Sequence, residues 1–546
     1  MVQKVLALFC IFLVCVAAVS CGKSSGGSSG SGGSGGNGSP SSSSEGGEEG
    51  LPGDGGTGSL PNTPSPPSIL MGRSLAQLVW LQSADATKYH IYRDGSLVAS
   101  VTDSLYYFDT SLILGTAYTY ELSAFNASGE SGKSVPVTAT TAIWTKVLCS
   151  SSKDYASGIA LDTAGNFYVV GWTAGNLDGQ TNAGGKDIFI TKYDPSGMKQ
   201  WTKLLGTSVD EEATSVAVDS SGYIYVTGYT DGNLDGQANA GKDDIFIAKY
   251  DGAGTKQWVQ VFGTPGNEWA NGIAVDSSGY IYVTGYTDGN LDGQANAGKD
   301  DILVGKFDTS GTRQWVSLLG TAVEDVANGI AVDDTGLYIT GWTAGNLDGQ
   351  TNAGGKDIFV AAYTQQGTKQ WVQLLGTATD DAGNAISLVP GGIGITGYTG
   401  NNLDGQTNAG GKDIFVAAYT QQGTKQWVRL IGSNKDDSGK GIALDLNGNS
   451  YIAGYTWGDV GGAISCSGTG NAGKDDIFIV KYDPSGVEQW TRLLGTAASD
   501  GASALALDIY QNSYIVGYTA GSLDGVPNTD SDGAFIAKVT SNGIVW

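Results

Sequence analysis

The chain restarts itself at a nearly fixed interval, and that period constrains the fold more than any other feature. The stretch Trp201 to Gln257 (WTKLLGTSVDEEATSVAVDSSGYIYVTGYTDGNLDGQANAGKDDIFIAKYDGAGTKQ) is one copy. Copies begin at Trp144, Trp201, Trp258, Trp315, Trp371, Trp427 and Trp490, and an eighth Trp, Trp546, is the last residue. The spacings are 57, 57, 57, 56, 56, 63 and 56 residues. A repeat of this size cannot bury its apolar face alone, so neighbouring copies must stack to make a core.

Each copy holds four short strand patterns. In the third they are Gly272–Asp276 (A), Tyr280–Tyr286 (B), Asp301–Phe307 (C) and Gln314–Leu319 (D). Period-two alternation runs through B, where Ile281 and Val283 face away from Tyr282, Thr284 and Tyr286. The Asp-x-x-Gly turns, such as Asp276-Ser-Ser-Gly279, offer an Asx hydrogen bond and a residue that tolerates positive φ. Four antiparallel strands repeated seven times specify a β-propeller. GIAVDSSGYIYVTGYT and DIFIAKYDGAGTKQW resemble the bacterial seven-bladed β-propeller (SBBP) repeat family, and that resemblance covers 144–546. The chain enters this region with a D-type strand, Trp144–Cys149, and ends after a C-type strand, Ala534–Lys538. The last blade should therefore borrow residues 144–149 as its outer strand and close the ring. Glycines in B (Gly171, Gly228, Gly285 and their counterparts) suggest close backbone packing between blades. The D-strand Trp is expected to fill the gap between outer strands.

Ahead of the propeller, Lys4 precedes an apolar run from Val5 to Val19 that reads as a signal peptide over 1–20. Ala18-Val19-Ser20-Cys21 resembles a bacterial lipoprotein cleavage box, which implies lipidation at Cys21 and a membrane-anchored, exported lipoprotein of the outer membrane or cell surface. Residues 21–66 are a Gly/Ser-rich linker that cannot bury enough surface to fold, with a reach of roughly 35–40 Å as a flexible coil. Residues 67–143 turn apolar and alternating, with a hairpin signal at Asp94-Gly95. Trp80, Tyr89, Tyr92, Tyr107, Asp109 and Tyr118 in LILGTAYTYELSAFNASGESG resemble a fibronectin type III domain, with Tyr118 at the family's tyrosine corner. The resulting fold class is all-β: a seven-bladed β-propeller preceded by a fibronectin type III-like β-sandwich and a disordered linker.

Chemistry is harder to place. The balance of 29 basic to 54 acidic residues gives −25, which repels nucleic acid and anionic lipid, leaving the N-terminal lipid as the membrane contact. The long B–C loops (GNLDGQTNAGGKD at Gly175–Asp187 and its copies) and the acidic D–A loops (Asp210–Glu212, Glu324-Asp325, Asp380-Asp381, Asp436-Asp437) should emerge on one face. That face would carry Asp178, Asp235, Asp292, Asp348 and Asp404, whose oxygens suit calcium. Turn chemistry by itself also accounts for them, because Asp and Asn cap turns and lysines pair with acids. Cys149 and Cys466 would lie on the same face of neighbouring blades, where an exported protein could join them. With the single histidine, His90, on the sandwich, a Ser-His or Cys-His site in the propeller is excluded. Blade six departs from the repeat around Trp457 to Gly470, which singles out Trp457 and Asp459 for a protein or glycan partner. The expected role is non-enzymatic binding or adhesion. A display scaffold without a ligand, or a carboxylate-based hydrolase or lyase, are the alternatives.

Overall fold

The computed structural model describes residues 59–546 apart from 73–74, 103, 111, 114, 142–143, 390, 461–463, 466–470, 529–531, 544 and 546. The signal, Cys21, the linker through residue 58, Cys466 and Trp546 lie outside these. The end of the expected disordered linker, residues 59–66, is instead ordered: Pro61 and Pro64 are buried, and Asn126 Nδ2 donates to Ser59 O at 2.8 Å. Among the described residues there are only strands and three short 3₁₀ turns, and no helix is long and apolar enough to cross a membrane.

Residues 68–140 form a two-sheet sandwich. One sheet joins Ser68–Met71, Leu75–Val79 and Tyr106–Thr110; the other joins Ser96–Thr102, Lys88–Arg93 and Ala117–Asn126, with Gly129–Glu130 and Val137–Thr140 beside the last. Asp94 and Gly95 both take positive φ, 50° and 81°, which matches the twist of the hairpin they close. Trp80 packs edge-on against Tyr89 at 5.5 Å in the sandwich core. The Tyr118 hydroxyl accepts the Ile113 N–H at 3.0 Å, as a tyrosine corner requires. His90 is half-buried between Tyr92 and Phe125, 3.5 Å from Glu130.

The propeller has seven antiparallel sheets in sequence order. Blade three is typical, with strands Glu268–Val275, Ile281–Thr287, Asp301–Phe307 and Arg313–Leu319. Blade seven takes Lys146–Leu148 as its outer strand, paired antiparallel to Gly533–Val539, so the ring closes as the chain ends predict. The core lies between blades. Tyr168, Val170, Ile188 and Ile190 of blade one, for instance, pack with Val216, Val226, Phe246 and Tyr250 of blade two. The D-strand Trp wedges that seam. Trp201 Nε1 donates to Gly252 O in the next blade's C–D turn, and Trp258, Trp315, Trp371, Trp427 and Trp490 repeat the bond. The turn glycine lies so close to the indole that a Cβ on Gly254, itself at φ +79°, would sit 3.0 Å from the Trp201 ring.

Two expectations need correction. The inner strand starts earlier than its apolar run: in blade three it opens at Glu268, not Gly272. The B-strand glycines face their own blade rather than the neighbouring one. A Cβ on Gly285 would lie 1.8 Å from Trp269 O, and every counterpart shows 1.8–2.0 Å. Each glycine stands opposite a register shift in strand A, between Ala270 and Gly272 in blade three. It therefore accommodates a bulge that adds one residue to the inner strand.

Candidate functional site

That bulge builds the axis of the molecule. In every blade the extra residue lines the central cavity: Ser157, Thr214, Asn271, Asn328, Asn384, Lys440 and Ser503. Four of them reach the backbone of the next blade. Thr214 Oγ1 donates to Ala270 O at 2.7 Å, Asn271 Nδ2 to Ala327 O at 2.9 Å, Asn328 Nδ2 to Gly383 O and Asn384 Nδ2 to Gly439 O at 2.8 Å. The chain of bonds breaks at Lys440. Beyond it, Ser503 Oγ bonds the Tyr155 hydroxyl at 2.9 Å.

Above this ring, where strand A begins, the penultimate residue of each B strand is aromatic: Trp172, Tyr229, Tyr286, Trp342, Tyr398, Tyr455 and Tyr518. All but Tyr229 are half-buried, so part of each ring stays open. Tyr155 stacks between Trp172 at 6.1 Å and Tyr518 of the preceding blade at 5.2 Å; Trp269 stacks between Tyr229 at 4.1 Å and Tyr286 at 6.1 Å. Burial holds the Tyr155, Tyr398 and Tyr455 hydroxyls above the ordinary range, so they remain donors at neutral pH. The residue just before each C strand differs by blade. Lys186, Lys356 and Lys412 lie over Trp172, Trp342 and Tyr398 at 4.6, 3.5 and 4.1 Å. Asp243 accepts Trp269 Nε1 at 2.6 Å, and Asp475 accepts the Tyr518 hydroxyl. A hydrogen bond with Asp243, helped by burial, pushes Asp231 up to about 7.

The acids picked from the sequence sit elsewhere. Asp178, Asp235, Asp292, Asp348 and Asp404 each take φ between 49° and 56°. Each pairs with a cation at the head of its own blade's D strand: Lys199, Lys256, Arg313, Lys369 and Lys425. The preceding leucine (Leu177, Leu234, Leu291, Leu347, Leu403) is buried in the seam. In blade three, Gln294 Nε2 donates to Val316 O at 2.6 Å and its Oε1 accepts Leu318 N at 3.2 Å, both on strand D. Instead of meeting at the axis, these loops pair with the head of strand D, and in blades three and four the loop Gln also satisfies backbone groups of D. Among the described residues no three His, Cys, Asp or Glu side chains could hold a metal ion together.

The D–A acids divide. Asp210, Asp380 and Asp436 stay in their loops and accept the Lys186, Lys356 and Lys412 N–H groups. Glu211, Asp325, Asp381 and Asp437 instead open strand A and are fully buried. Glu211 accepts Thr207 N and Oγ1 at 2.6 Å and Thr230 Oγ1 at 3.0 Å. Strand C also opens on a buried carboxylate in blades one to six: Asp187, Asp244, Asp301, Asp357, Asp413 and Asp476. One oxygen of each accepts an alanine N–H four residues earlier, as in Asp244 with Ala240 at 2.6 Å. Burial raises them all, Asp357, Asp413 and Asp476 to about 6.

In blade six, Trp457 is 45 % exposed. Asp459 accepts Asn471 N at 2.5 Å, the bond that Asn176 makes with Asn182 in blade one, so it closes its loop. Ile464–Ser465 adds a short parallel strand to the outer edge, against Arg492 and Leu493. Cys149 follows the closing strand and is half-buried; the expected pairing falls on Cys466, outside the described residues.

The bulge ring and aromatic collar were missed from sequence. The collar had a signal, a Tyr or Trp before Thr at the end of every B strand. The ring residue precedes a small residue in A and varies, which reads as noise until the bulge is seen.

Seven radial sheets built on four antiparallel strands, the last completed by Lys146–Leu148 from ahead of blade one, define a β-propeller. The β-propeller repeat family (SBBP) matches residues 143–178, 200–235, 257–292, 426–462 and 489–524, so the chain contains these repeats. Regulatory protein FlaEY of Caulobacter vibrioides is 28% identical over 305 residues, 49% of this chain and 31% of that protein. An uncharacterised WD repeat-containing protein of Acanthamoeba polyphaga mimivirus is 25% identical over 69% of this chain and 30% of its own length. The chain thus spans about a third of these two relatives. Among solved structures, the rhamnogalacturonan lyase YesX is 13% identical over 89% of this chain and 75% of that one, with a TM-score of 0.26. A structure titled FN3tt is 30% identical over 15% of this chain and 97% of its own, with a TM-score of 0.14.

Proposed function

We propose that this protein is a non-enzymatic binding module of the cell surface that takes a glycan at the axial mouth of the propeller. The observation that carries this is the collar: an aromatic side chain at the same place in all seven blades, six of them part-open to solvent. Part-open aromatic rings can pack against the C–H faces of sugar rings, and the hydroxyl, amide and carboxylate groups around them can meet sugar hydroxyls. In this reading the N-terminal lipid and linker hold the protein to a membrane, and the fibronectin type III-like sandwich is a spacer.

A glycan array probed with the full chain tests it. Saturable binding that is lost in Trp342→Ala and Tyr455→Ala supports the reading; binding indifferent to both would sink it. Mass measurement of the mature N-terminus tests the anchor.

The Asp231–Asp243 pair favours a second reading, a carboxylate-based hydrolase or lyase, because a carboxyl titrating near 7 can give and take protons at neutral pH. Turnover of an array hit that disappears in Asp231→Asn would establish it.

A further inference from the structure

The bulge ring departs from its own rule at one place. Side chains of blades two to five each reach the next blade's backbone carbonyl, and the Asn384 bond to Gly439 O is the last. In blade six the residue is Lys440, whose amine lies 5.7 Å from the Tyr455 ring centre in the central cavity. No carboxylate among the described residues pairs with it, although the chain carries 54 acids. Of the two acids nearest Tyr455, Asp475 takes the Tyr518 hydroxyl and Asp436 takes Lys412 N. Its neighbours in the ring are neutral, Ser503 with the Tyr155 hydroxyl on one side and Asn384 on the other, and a ring of aliphatic side chains such as Ile442 and Leu505 lines the rest of the cavity. A half-buried ammonium with no carboxylate partner among the described residues is an incomplete ion pair, and it lies beside one ring of the aromatic collar, Tyr455.

We propose that the axial cavity binds an acidic saccharide, with the sugar's anionic group, carboxylate or sulfate, seated on the Lys440 amine. This rests on the glycan-binding reading above and adds the class of sugar. The cavity, about 220 Å³, falls below the roughly 300–1,000 Å³ of sites for drug-sized ligands. It therefore takes one sugar unit. Burial, with Lys412 nearby, lowers the Lys440 amine below the ordinary lysine range, and a bound anion would restore it.

Differential acetylation of lysines on the full-length protein, read by mass spectrometry, tests this with defined probes. Millimolar glucuronate or a sulfated monosaccharide should protect Lys440, glucose should not, and Lys192 on the opposite, C–D side should react equally throughout. In a binding assay Lys440→Met should weaken the acidic sugar at least about tenfold, the worth of one charge-assisted bond. Lys440→Arg, which keeps the charge, should retain most of the affinity. Protection by inorganic sulfate alone would mark a free-anion site and overturn the sugar class. Equal protection by glucose, or none by any probe, would overturn the proposal; because wild-type protein is labelled, the result does not depend on a variant folding. If Lys440→Met leaves array binding intact while Tyr455→Ala abolishes it, this inference fails and the glycan reading stands.

Discussion

The rim of the propeller and its axis obey different rules. At the rim the blades largely repeat: a buried leucine, an Asp paired with the cation heading strand D, and a Trp donating to the next blade's turn. At the axis the backbone repeats but the side chains do not, running Ser, Thr, Asn, Asn, Asn, Lys, Ser around the ring. Repetition marks where a residue serves the ring as a whole. Variation on a repeated backbone marks where one blade can be given a task without loosening the rest.

The strongest way to break this contrast is to remove the device that both regions share. Gly285→Val would drive a Cβ into a carbonyl 1.8 Å away. It should destabilise the propeller by about 3 kcal/mol or more, read from chemical denaturation. Leu347→Ala empties a fully buried rim anchor and should cost about 2–4 kcal/mol in the same assay, with array binding retained.

A change of pH acts on the buried carboxylates common to both regions. Asp357, Asp413 and Asp476 stand at about 6 when folded, above the ordinary 3.8. The folded chain therefore keeps protons that the unfolded chain has released. Their contribution is full below about 4 and lost as pH rises through about 6, so the melting temperature should rise on going from pH 7 to pH 5. Serine hydroxyl bonds lower Asp194, Asp308 and Asp483, and these oppose the trend only below their ordinary value. A melting temperature unchanged or falling between pH 7 and pH 5 would contradict the assignment.

The smallest effect belongs to the loop acids. Asp348→Ala breaks an exposed pair with Lys369 and should cost less than about 1 kcal/mol. Chelator and calcium should leave the melting temperature of both proteins unchanged, because lysine already occupies the carboxylate; a clear calcium-dependent rise would reinstate a metal there.

Much of this was legible in the sequence. Period and alternation specify seven blades, and the mismatch between the D-type start at Trp144 and the C-type end at Lys538 dictates the closing strand. The Asp94-Gly95 turn and the Tyr118 corner follow from local chemistry. Glu211 and its counterparts misled because an acid beside a loop reads as exposed; nothing local reports that a Thr on strand B will cover it. The LDG loop misled in the opposite way, since its composition is that of a surface turn while its leucine belongs to the core.

The sequence alone determined the number of blades, their order and the closure, because a period-two pattern repeated seven times leaves each sheet one way to bury its face. Only the tertiary structure decided which residues meet. The inner-strand bulge rotates one residue per blade out of the alternating pattern and toward the axis, bringing Ser157 of blade one into one cavity with Lys440 and Ser503 of blades six and seven. Spacing cannot report that meeting, since it exists only once the ring has closed.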